Sequence, residues 1–133
     1  MNILPAAQIT ALYAAVCAFI IVALALGVIV TRFRLRVGIG DGADSRLARA
    51  IRIHGNAIEY VPIALILMLV AELNGARPAL LHGCGIVLVV ARIAHAIGLK
   101  RTVGLSIGRG IGVVGTVVVI AVLAIVDLAA FIR

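Results

Sequence analysis

Arg52, Asn56 and Glu59 recur at i, i+4 and i+7 in "RAIRIHGNAIEYVPIALILMLVAEL", residues 49–73. Successive helical residues rotate by about 100°, so the three fall within one narrow stripe. Gly55 lies beside them and removes bulk. The same segment continues into an apolar run. A charge carried to membrane depth costs at least a few kcal/mol, about 2.5 by insertion scales, unless it is paired or hydrated. The stripe must therefore face a polar cavity or another helix.

Further along, Arg92 and His95 in "ARIAHAIGL" are three residues apart and share a helical face, and Arg109 opens the last apolar run. With the stripe they make a basic cluster around one embedded carboxylate. Glu59 can neutralise one arginine, and an external anion would balance the others. Each residue also has a plainer use. Arg52 suits snorkelling to headgroups, Asn56 interhelical hydrogen bonding, and Glu59 a structural bridge to Arg92. His54 and His95 suit hydrogen-bonded packing. No third His, Cys or carboxylate has zinc-like spacing, so no metal is expected.

The elements that must position these residues follow from composition. The chain has 133 residues, 65% hydrophobic and 13% charged, with a mean hydropathy of +1.30. A soluble domain carries about a quarter charged residues, so this is an integral membrane protein with room for one domain of about four helices. The spans are expected near 9–30, 45–73, 79–99 and 109–132, in an all-α four-helix bundle. The start, "MNILPAAQIT", carries no basic n-region, which favours a retained first span over a cleaved leader. Asp44 or Ser45 can cap the second helix, and Pro62 inside it predicts a local kink. "GIGDG" in the first loop lacks a preceding strand and a following GK[ST], so it reads as a hinge and not as a phosphate loop. Gly104, Gly108 and Gly112 repeat at four, with Gly115 after them, a small-residue seam for close packing between helices or subunits. Cys17 and Cys84 lie in apolar runs and read as small buried hydrophobes.

The net charge of +7 comes without a basic stretch bearing stacking aromatics, so nucleic acid is not an expected partner. The charge sets topology instead. Loop one and the start of helix two hold Arg32, Arg34, Arg36, Arg46, Arg49 and Arg52; loop three and its flanks hold Arg92, Lys100, Arg101 and Arg109. The other side has only Arg77 and Arg133. The positive-inside rule puts loops one and three in the cytoplasm and both termini outside. Arg32, Arg34 and Arg36 suit a face for anionic lipid.

The pattern R-x-x-x-N-x-x-E-Y, here Arg52, Asn56, Glu59 and Tyr60 with Pro62 following, resembles the glutathione-site segment of the MAPEG proteins (membrane-associated proteins in eicosanoid and glutathione metabolism). "VGIGDGADSRLARAIRIHGN" looks like the bacterial branch, and the likeness covers nearly the whole chain. It implies a homotrimer of four-helix subunits in the bacterial inner membrane. Glutathione would lie between neighbouring subunits near the cytoplasmic face, as a co-substrate, and lipophilic small molecules would arrive from the lipid bilayer. By the resemblance, Arg34, Arg52, Asn56, Glu59, Tyr60, Arg92 and His95 would line the thiol peptide's site. Arg109 matches the thiol-activating arginine at the start of the fourth helix. The implied activity is glutathione transfer to, or peroxide reduction of, small lipophilic electrophiles. One branch of the family binds lipid without catalysis, so a lipid-binding or scaffold role is the alternative. Leu99 stands where eicosanoid-forming members usually carry tyrosine, and Gly110 where some members carry serine, which argues against a dedicated eicosanoid synthase. A four-span drug exporter needs an embedded acid in a cavity that attracts cations, whereas this one is basic.

Overall fold

The computed structural model describes residues 7–101 and 107–132. It contains four α-helices in the order α1 (Gln8–Leu35), α2 (Ser45–Leu73), α3 (Pro78–Arg101) and α4 (Ile107–Ile132). Each is long and apolar enough to cross a membrane. Because α2 and α3 each touch all three other helices, they form the centre of the bundle. Helices α1 and α4 flank them and do not touch each other among the described residues.

The buried face of α2 is Val61, Ala64, Met68 and Ala71, a helical period of small and flexible side chains. It packs on Leu81, Cys84 and Leu88 of α3 and on Val119 and Leu123 of α4. Outer faces are equally apolar: Phe19, Val114, Ile125 and Leu128 stay exposed. A helix apolar on all sides needs a lipid surround, and its inward face is then chosen by close packing more than by hydrophobicity.

Helix ends follow local chemistry. Asp44 is the N-cap of α2; its Oδ1 accepts from the backbone N–H of Arg46 at 2.8 Å and of Leu47 at 3.2 Å. The Arg46 guanidinium also donates to Asp44 at 2.8 Å, and these bonds, the side-chain one first, hold the Asp44 carboxyl well below the usual carboxylate range. Loop one turns on left-handed residues, Arg36 at φ 55°, Gly40 at φ 72° and Gly42 at φ 57°. That turn brings the loop carbonyls back over Arg32, whose Nη1 donates to the Gly40 carbonyl at 2.9 Å. Arg32 therefore ties the loop, while Arg34 and Arg36 are exposed.

α1 continues to Leu35, about a turn beyond the expected end of its span, because Arg32 and Arg34 remain helical. α2 passes through Pro62 without a break. Proline there removes one i→i−4 bond and leaves the Ile58 carbonyl without its helical donor.

Candidate functional site

Arg92 is the centre of the polar structure. It sits on α3, only 3% exposed, where α1, α2 and α4 converge on it. Its Nη1 donates to Asn56 Oδ1 on α2 at 2.8 Å, and its Nη2 to the Gly112 carbonyl on α4 at 2.6 Å. The Thr116 hydroxyl donates to the same carbonyl at 2.8 Å. One buried guanidinium thus joins three helices. The bridge from Glu59 to Arg92 considered from the sequence does not form. Its place is taken by Asn56 and a backbone oxygen.

Helical geometry explains that choice. Arg52 and Glu59 are seven residues apart, about 20° around α2, while Asn56 lies about 60° from Glu59. Arg52 and Glu59 are exposed and line one open groove of about 490 Å³ with Gly55 and with Gly40 and Asp41 of loop one. Asn56 turns from that groove into the bundle. The stripe thus has an outer part that a ligand can reach and an inner part that anchors α3.

The other expected residues are distributed around this frame. His95, one turn after Arg92, is 5% exposed. Its ring hydrogen-bonds the Arg109 backbone, and the charges of Arg92, Arg109 and Arg52 all lie within electrostatic reach of it. Arg109 occupies the first turn of α4, half-buried. Tyr60 is half-buried and within electrostatic reach of Arg92. Arg34, in the last turn of α1, is exposed and does not line the groove of Arg52 and Glu59. Side-chain placement at Leu99, Lys100 and Arg101 lies outside the described residues. Among the described residues no group of three His, Cys, Asp or Glu side chains is placed to hold a metal ion.

The glycine seam positions Arg109. A Cβ on Gly112 would stand 2.7 Å from the Ala91 carbonyl and 2.8 Å from His95 Cα; on Gly108 it would stand 3.1 Å from the Ala94 carbonyl. The seam therefore closes α4 onto α3 within one chain and brings the start of α4 against His95. Gly104 lies outside the described residues.

Three contacts had no signal in residue spacing. Both Glu72 carboxylate oxygens accept from the first N–H groups of α1, Ile9 at 2.9 Å and Thr10 at 2.7 Å. The Tyr13 hydroxyl lies 3.0 Å from His82 Nδ1. The Gly112 carbonyl serves as a polar acceptor in mid-bundle.

The family model of the MAPEG family matches residues 10–129, which reaches into all four helices and covers every residue of this site. The chain belongs to the MAPEG family. "Inner membrane protein YecN" of Escherichia coli strain K12 is 46% identical over 94 residues, 71% of this chain and 72% of that protein. The protein of the same name from Escherichia coli O6:H1 matches to the same extent. The four-helix, multi-pass architecture expected from the sequence is therefore that of a MAPEG protein. The Arg52, Asn56, Glu59 motif lies in its second helix, half facing a groove and half built into the core.

Proposed function

We propose that this MAPEG protein is an inner-membrane, glutathione-dependent transferase or peroxidase that acts on small lipophilic electrophiles. The observation that carries the reading is the open groove lined by Arg52 and Glu59, with Arg92 and Arg109 close enough for their charges, like that of Arg52, to act on His95. Glutathione activity is known for the family in general, and the YecN proteins named above are described as inner membrane proteins.

The donor set fits the chemistry of a thiol peptide. Glutathione carries two carboxylates, an ammonium and a thiol. Guanidinium forks suit the carboxylates, and Glu59 suits the ammonium. Arg52 and Glu59 are exposed along one groove and need no rearrangement to meet a ligand of mixed charge. A free thiol has a pKa of about 8.5 and is mostly protonated at neutral pH. Arg109 stands in the first turn of α4, so an anion beside it would feel both the guanidinium and the positive end of the helix. That combination favours thiolate, the nucleophilic form. Arg92 and Asn56 act as the frame: they bond each other and α4, and so fix where Arg109 is presented.

The assembly is proposed as a homotrimer, with Arg34 reaching the site of a neighbouring subunit. Loops one and three are proposed to be cytoplasmic, with both termini outside. Turnover of a general aromatic electrophile with glutathione tests the enzyme reading. Activity lost in Arg109→Ala and retained in Arg36→Ala supports it. Purified protein with no turnover and no glutathione binding moves the chain to the lipid-binding or scaffold role.

A further inference from the structure

A second groove, of about 300 Å³, lies between the loop-one ends of α1 and α2, and the glutathione reading makes no use of it. One wall is Leu24, Gly27 and Thr31 of α1; the other is Arg46, Arg49 and Ile53 of α2. A Cβ on Gly27 would meet nothing within 4 Å, so this glycine is not there for a helix contact within the chain. A helical glycine costs about 1 kcal/mol relative to alanine. Here it leaves the groove open.

The charges at the mouth are arranged for an anion. Arg46 is paired with Asp44, whereas Arg49, half-buried at the groove, has no hydrogen-bond or ion-pair partner among the described residues. The Asp44 carboxylate at the N-cap of α2 is already taken by Arg46 and the backbone, no acidic residue lies in the first turn, and Arg49 follows in the second. A half-buried guanidinium without a partner is favoured when an anion joins it. Going deeper, from Arg46 through Arg49 to Ile53, the groove changes from cationic to apolar over about 10 Å of helix. The Thr31 hydroxyl is turned onto the Gly27 carbonyl at 2.7 Å, so it leaves no unmet donor in the wall. A free phosphate would leave the apolar floor bare. A peptide would bring unpaired backbone groups into lipid. An amphiphile with an anionic head and a hydrocarbon tail matches both ends.

We propose that this groove is a specific site for one anionic phospholipid, whose phosphate rests on Arg49 and whose acyl chain lies over Gly27. The proposal is independent of glutathione chemistry. To test it, detergent-purified full-length protein is mixed with equal amounts of phosphatidylglycerol and phosphatidylcholine of identical chains. Retained lipid is then counted by native mass spectrometry. The expected result is one phosphatidylglycerol per chain, retained in preference to phosphatidylcholine. Arg49→Gln lowers retention about fivefold, as expected for one lost basic contact. Gly27→Leu, whose Cβ meets nothing within 4 Å and whose side chain starts at the groove wall, lowers it as well. Ala50→Leu fills the same space from α2 and decides the point should the Gly27 variant fail to insert. Arg36→Gln removes an exposed charge at the end of α1 that does not line the groove, and the one tightly held lipid is retained as in wild type. Equal retention of the two lipids overturns the proposal. So does equal loss in Arg36→Gln and Arg49→Gln, which marks a diffuse basic face. A change of oligomeric state in Gly27→Leu with phosphatidylglycerol still bound overturns it too, because the groove then seats a second copy of the chain.

Discussion

Arg92 carries a full charge into the middle of the bundle, and its partners are an amide and a backbone carbonyl, not an acid. Removing it leaves Asn56 Oδ1 unpaired and takes one donor from the Gly112 carbonyl. Arg92→Ala is expected to destabilise the fold by about 3 kcal/mol, since a buried polar network is left half satisfied. Thr116→Val removes one neutral hydrogen bond to the same carbonyl and is expected to cost about 1 kcal/mol. Thermal unfolding in detergent separates the two. Much of this was legible in the residue types: Arg52, Asn56, Glu59, Arg92, His95 and Arg109 stand out because charge and amide are expensive in an apolar chain. Which of them pair was not legible. Glu59 and Asn56 are both plausible partners for Arg92 by spacing, and the 60° between them decides it only once the roll of α2 is fixed. The Gly112 acceptor is a backbone atom and leaves no mark on the pattern of side chains.

The helices meet through small residues and caps, and both respond predictably to substitution. Gly112→Ala pushes a Cβ into the Ala91 carbonyl and is expected to cost about 1–3 kcal/mol while shifting α4 against His95. Gly110→Ala meets open space and gains helix propensity, so it is expected to be neutral or to stabilise by up to about 1 kcal/mol. The contrast, read by thermal unfolding, tests whether the seam lies between α3 and α4. Asp44 gives a pH-dependent element. Its carboxyl is held low in the folded chain, so its cap stabilises α2 above the unfolded value of about 4 and loses that contribution as pH falls below it. The Tm gap between wild type and Asp44→Ala is expected to be present at neutral pH and to close in acid. At the opposite end of the bundle, Glu72→Ala frees the N–H groups of Ile9 and Thr10, and hydrogen exchange at the start of α1 is expected to rise. The four helices were readable from apolar length. The Glu72 clamp was not, because it joins residues more than sixty apart that share no pattern.

At the scale of the molecule, two basic loops and one cluster of arginines define the proposed orientation and the proposed chemistry. In a background with Cys17 and Cys84 replaced by alanine, a cysteine placed by Ser45→Cys is expected to react with a membrane-impermeant thiol reagent only after spheroplasts are opened, and one placed by Asn74→Cys already in intact spheroplasts. In the proposed chemistry, Arg52, Glu59 and Arg109 bind a small thiol peptide and hold it as thiolate. Titrating glutathione into the purified protein at neutral pH, with thiolate absorbance as the readout, tests it directly. The expected result is a saturable thiolate signal that disappears with binding in Arg52→Ala. In Arg109→Ala the signal disappears while glutathione still binds. A protein that binds glutathione with no thiolate signal, or whose signal survives in Arg109→Ala, contradicts it.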